Sequence, residues 1–238
     1  DWGDVQPNDD FGCDMNDLSD PAIDVYDNAM FIIALDYLLE MAPDSPQASR
    51  WKSLREGIER NVRAHLWDVK RQKFIPHIYP EKSPIPEGFD ELAIHYHGGT
   101  AIAIEAGLLS KDEIRTVNAQ MLENVRLSGM PSIGLTLYPV YPDGFFHGGM
   151  SKAYLYQNGG DWTWFGGRMI QQLVVNGMVE EAYAEIHPMI ERVIQNDGFY
   201  EWYGKGGVPS GSGNFKGSAG VLSKAIELLR DWAEKNKS

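Results

Sequence analysis

Two kinds of helical segment alternate along this 238-residue sequence, and the alternation restricts the folds open to it. The first segment, Ile23–Met41, is apolar nearly all round (Ala29, Met30, Phe31, Ile32, Ile33, Ala34, Leu35). A helix of that composition is buried on most of its sides, and Pro43 ends it. The second, Pro46–Leu66, puts Trp51, Leu54, Ile58 and Val62 on one face with charges between them, as an outer helix does. Gly98–Leu109 and Trp162–Asn176 repeat the apolar kind, and Lys111–Leu127 and Met178–Gln195 repeat the amphipathic kind. Ser218–Ala233 closes the series as a seventh segment of the inner kind. Short aromatic stretches, Lys73–Tyr79, Gly134–Tyr141 and Gly198–Tyr203, are expected as β-ribbons between the pairs. The expected fold class is all-α, a toroid of helical hairpins with an inner and an outer layer. The long loops rich in Gly, Trp, Tyr and His all precede an inner helix. In such a toroid they converge at one end of the central funnel, where a site is expected.

Composition narrows the function. With 43% hydrophobic and 23% charged residues the chain can build a sizeable core. A net charge of −13 repels nucleic acid, while a neutral sugar meets no such barrier. Cys13 is the only cysteine, so an intrachain disulfide and a thiolate metal cluster are both excluded. The longest apolar run, Ala29–Leu39, is interrupted by Asp36 and falls short of the roughly 20 residues of a membrane span. The compartment stays open. Asp9, Asp10, Asp14, Asn16, Asp17 and Asp20 form an acidic run that lacks the glycine and glutamate spacing of a calcium loop. No metal and no cofactor are expected.

Several motifs resemble the six-hairpin glycosidase superfamily, which includes glucoamylases, trehalases, processing α-glucosidases, neutral invertases and α-L-rhamnosidases. They are Trp2–Pro7 (WGDVQP) with the helix after it, His95–Ser110 (HYHGGTAIAIEAGLLS), Tyr156–Arg168 (YQNGGDWTWFGGR), and Phe199–Gly204 (FYEWYG) followed by Ser210–Gly220. The resemblance implies an (α/α)6 toroid, of which this chain supplies helices six to twelve of one catalytic domain. Helices one to five then lie upstream, consistent with a sequence that opens at Asp1 without a methionine. The missing N-terminal half of the barrel is therefore an expected partner.

The resemblance also implies glycoside hydrolysis, which needs one carboxylic acid to protonate the leaving oxygen and one carboxylate to activate water. Position in the family makes Asp4 the general acid, beside Trp2, with Asp1, Asp24 and Asp27 as fallbacks. Glu201, flanked by Tyr200, Trp202 and Tyr203, is the expected general base. Asp161, Trp162 and Trp164, after the Asn158-Gly159-Gly160 turn, are expected to contact substrate, as are Trp2, His97, Trp202 and Tyr203. The expected activity is an inverting, exo-acting hydrolase of a small oligosaccharide or terminal sugar. Three alternatives remain: a sugar epimerase using His97, a disaccharide phosphorylase drawing on Lys152, Arg168 and Lys205, and a non-catalytic carbohydrate-binding half-barrel. Gly204–Gly213 lacks the P-loop ending and is expected as a loop over the site. No Gly-x-Ser-x-Gly esterase signature is present.

Overall fold

The structure, a computed structural model, describes residues 19–237 together with Pro7, Asn16 and Asp17. Trp2 and Asp4 lie outside the described residues, as do Asp1, Asp9, Asp10 and Asp14. Among the described residues there are seven α-helices: α1 (Val25–Met41), α2 (Ala48–His65), α3 (His97–Glu105), α4 (Lys111–Ser128), α5 (Thr163–Val175), α6 (Val179–Asn196) and α7 (Lys216–Lys235). Each expected helix is present, with ends within a few residues of those read from periodicity. None is long and apolar enough to cross a membrane.

Local chemistry sets the ends. The Asp24 side chain accepts from the Asp27 amide and caps α1. Ser110 and Glu113 form a reciprocal capping box at the start of α4, and Gly129 in the left-handed conformation stops it. The two layers follow from the two kinds of helix. Inner helices pack in series, α1 on α3, α3 on α5 and α5 on α7, while α2 packs on α1 and α6 on α5. Gly166 and Gly167 make the inner packing possible. A β-carbon on Gly166 would lie 2.0 Å from the Met189 methyl, and one on Gly167 would lie 2.9 Å from Val221 Cγ2.

Six two-residue strands form three antiparallel ribbons: β1 (Trp67–Asp68) with β2 (Lys73–Phe74), β3 (His95–Tyr96) with β4 (Leu137–Tyr138), and β5 (Trp202–Tyr203) with β6 (Pro209–Ser210). The three aromatic stretches expected as ribbons each contribute a strand. Gly204–Gly213 differs from expectation, because it supplies the turn and the return strand β6, and Trp202 pairs with Ser210.

Candidate functional site

The loops that precede the inner helices are fastened to one another by main-chain pairs. Ile23, before α1, exchanges hydrogen bonds of 2.8 and 2.9 Å with Ile78, in the loop before α3. Strand β3, before α3, pairs with β4, before α5. Asp161, before α5, exchanges hydrogen bonds of 2.9 and 2.8 Å with Tyr203, before α7. These links hold the N-terminal ends of all four inner helices at one end of the fold.

A narrow hollow opens there, lined by Tyr96, Thr136, Leu137, Tyr141, Phe146, Met150, Gln157 and Phe165, with room for about one water molecule. Its described lining carries no charged side chain. Tyr141 stacks on Phe145 at 4.8 Å and meets Phe146 edge-on at 5.1 Å, which makes one wall aromatic. Behind this wall Glu91 is buried and accepts from the hydroxyls of Tyr79 and Tyr141, each at 2.7 Å, with His77 Nδ1 at 2.8 Å. Burial alone would raise the Glu91 carboxyl, but hydrogen bonds from His77, Tyr141 and Tyr79 outweigh it and hold the group below the usual range. This cluster and the hollow's aromatic lining were not singled out from sequence. A lone glutamate in a 3-10 turn carries no signal of its three partners.

Glu201 stands directly before β5, partly buried. Its amide donates to Ser212 O at 2.9 Å, and the Ser212 amide donates to its Oε2 at 3.2 Å. Trp202, half-buried beside it, meets the Tyr156 ring edge-on at 6.3 Å. Tyr156 packs on Trp162 at 4.9 Å, and Trp162 packs on Phe165 at 6.3 Å. An aromatic path therefore runs from the Glu201 strand to the lining of the hollow. Tyr154 and Tyr156 both have positive φ, 64° and 48°, in the loop beside Trp202. Backbone strain of this kind concentrates at functional sites.

Four sequence-derived candidates sit otherwise than expected. Asp161 is fully buried, and its carboxylate is taken up inside the protein. Arg192 Nη1 lies 2.8 Å from Oδ1, and Ser132 Oγ donates to both oxygens at 2.8 and 2.7 Å. Tyr203 is also buried, its ring covered by the Arg192 guanidinium at 4.0 Å. Trp162 is 5% exposed and donates its indole N–H to Tyr156 O at 3.1 Å, so it serves chiefly as packing. His97 is buried with Nε2 at 2.9 Å from Asn124 Nδ2 on the outer helix α4, and burial holds its pKa well below the ordinary value. A buried histidine turned to the outer layer is poorly placed to exchange protons with a sugar. Trp164 remains half-buried, with the Arg168 guanidinium over its ring at 4.9 Å. Asp24, a fallback acid, is buried at the α1 cap, where desolvation raises its pKa.

No protein-family profile matches the sequence, and no curated protein is similar to it. Solved structures are similar in fold. A GH63 mannosylglycerate hydrolase from Thermus thermophilus, in complex with glucose, superposes with a TM-score of 0.60 at 16% identity, covering 88% of this chain and 48% of that one. An uncharacterized conserved protein from the same organism gives a TM-score of 0.61 at 16% identity, over 88% and 47%. A sialidase matches at a TM-score of 0.55 and 11% identity, over 78% of this chain and 17% of that one. The chain thus shares the fold of these structures and spans about half the length of the Thermus ones.

Proposed function

We propose that the protein is a glycoside hydrolase, inverting and exo-acting on a small oligosaccharide or terminal sugar, with Glu201 as general base and Asp4 as general acid. One observation carries the assignment. Glu201 directly precedes strand β5, whose Tyr203 is fastened to Asp161 in the loop that supplies most of the lining of a narrow aromatic hollow at the N-terminal end of the inner helices. The half-buried rings of Trp202 and Tyr156 beside Glu201 suit the C–H faces of a sugar. Fold similarity to a mannosylglycerate hydrolase agrees with this chemistry. Glu201 would take a proton from water as that water attacks the anomeric carbon. An acid on the opposite face would deliver a proton to the leaving oxygen, and inverting enzymes hold the two carboxyls about 6.5–9.5 Å apart.

The placement of the cations disfavours a phosphorylase. Arg168 is forked to Glu105 through two hydrogen bonds of 2.8 Å, and Lys205 Nζ lies 3.8 Å over the Tyr154 ring. Neither guanidinium nor ammonium is set aside for phosphate.

We further propose that this chain is the C-terminal part of one catalytic domain, whose remaining helices cover two apolar faces at the ends of the arc. On α1, Phe31, Tyr37 and Met41 are exposed. Between α6 and α7, Tyr183, Ile190, Ile226, Leu229 and Trp232 line an apolar groove.

The test is hydrolysis of a panel of aryl glycosides, with the first-formed sugar followed by NMR. Release of the sugar with inverted configuration is expected. Retained configuration would remove the inverting assignment, and no hydrolysis across the panel would remove the hydrolase.

A further inference from the structure

The β5–β6 ribbon that directly follows Glu201 is two residues long, and an isolated ribbon of that size has little stability of its own. Something else must fix where Glu201 stands. A general base has to sit within hydrogen-bond reach of its water, and a displacement of about 1 Å can lower a rate by about 100-fold.

One buried charge on the outer layer reaches this ribbon. Arg192 belongs to the outer helix α6, yet its side chain points inward and is buried. Its guanidinium holds three things at once. Nη1 pairs with the Asp161 carboxylate at 2.8 Å, Nη2 donates to Thr163 Oγ1 at 2.6 Å, and the plane of the group covers the Tyr203 ring at 4.0 Å. Thr163 is the first residue of α5 and Tyr203 the last residue of β5. Asp161 completes the link, because its main chain exchanges both hydrogen bonds with that of Tyr203, two positions after Glu201. Ser132 Oγ bonds both carboxylate oxygens, so Asp161 cannot rotate away.

A buried ion pair of this kind adds little net stability compared with apolar residues of the same size. What it adds is geometry. We propose that Arg192 is a positioning residue for Glu201, acting through Asp161 and Tyr203 to fix the ribbon against the start of α5. The inference rests on Glu201 being the general base. Arg192 is buried behind Asp161 and Tyr203, so its effect is expected on the chemical step through Glu201.

The experiment is a double-mutant cycle on the intact protein, using the aryl glycoside it hydrolyses fastest. R192M, E201Q and R192M/E201Q are compared, with R63M as a control that breaks the remote Arg63–Glu113 pair between α2 and α4. Circular dichroism verifies the fold, and if R192M does not fold, R192K serves in its place, keeping the charge but losing the fork. R192M is expected to lower kcat by about 100-fold with KM within about threefold, and to add almost nothing in the E201Q background. R63M is expected to leave kcat unchanged. A folded Arg192 variant with wild-type kcat overturns the inference. So does a loss that multiplies in full with that of E201Q, since Arg192 would then act independently of the base. Wild-type activity in E201Q alone would instead remove the general-base assignment, and the inference with it.

Discussion

Arg168 on α5 grips Glu105 on α3 through two parallel hydrogen bonds of 2.8 Å, Nε to Oε2 and Nη2 to Oε1. The same guanidinium covers Trp164, so one side chain ties two neighbouring inner helices and fixes an aromatic ring. Forked arginine–carboxylate pairs add direction as well as attraction. Both side chains are largely withdrawn from water, at 13% and 20% exposure. R168M should therefore lower stability by about 1–3 kcal/mol, because it strands a carboxylate. R168M/E105L should recover part of that loss. Chemical denaturation of the three proteins measures it, and equal stability of R168M and wild type would deny the pair a structural role.

Gly211 has φ +70°, and a β-carbon there would lie 2.4 Å from Glu201 Oε2. Only glycine leaves the carboxylate its place. G211A should reduce kcat at least tenfold by displacing Glu201, the order expected from a misplacement of a fraction of an ångström. The strain of a left-handed alanine should lower stability by about 1 kcal/mol. Steady-state kinetics with a thermal melt separate the two effects. An unchanged kcat would mean that the carboxylate's present position does not matter to the reaction.

Burial pushes His95 down to about 3 and His97 well below its ordinary value, so both stay neutral in the folded protein. Unfolded, each binds a proton below about pH 6.5. The unfolded state then holds more protons, and stability falls as pH drops from about 6.5, by up to about 2.7 kcal/mol per pH unit for two groups. Asp24 works in the opposite sense, since burial raises its pKa in the fold. Denaturation midpoints between pH 7 and 5 should decline, and H97Q should flatten the slope by about one proton. A slope unchanged by H97Q would contradict a neutral His97.

Tyr183 is 61% exposed and Trp232 44% exposed along the α6–α7 groove. On an ordinary surface, an aspartate at either site should change stability by no more than about 0.5 kcal/mol. If further helices of the toroid cover the groove, the buried charge should lower it by several kcal/mol. Thermal melts of Y183D and W232D in the intact protein are expected to show the large loss. Melts that match wild type would leave the groove uncovered.

The helices were legible because burial writes itself into periodicity. α1 and α3 lack a polar face, whereas α2, α4 and α6 alternate charge with apolar residues along one side. The ribbons were legible from aromatic runs between turn residues. What could not be read was direction. Asp161, Tyr203 and His97 lie in the expected loops, but a loop residue can point to the funnel or to the core. Asp161 points to Arg192, a residue that helix periodicity placed on an outer helix with no hint of its inward reach. Glu91 was passed over for the same reason, since its partners His77 and Tyr79 lie 14 and 12 residues back in its own loop and Tyr141 comes from the loop before α5. Glu201 was singled out by resemblance and by its aromatic flanks, not by any partner that spacing could reveal.

A comparison of E201Q with H97Q on one glycoside substrate bears most directly on Glu201 as the base of a hydrolase. Removing a general base lowers kcat by about 10²–10⁴-fold. E201Q should show that loss with its fold intact, and H97Q should keep kcat within a few-fold of wild type. A fully active E201Q together with an inactive, folded H97Q would contradict the assignment and point to proton chemistry at the histidine instead.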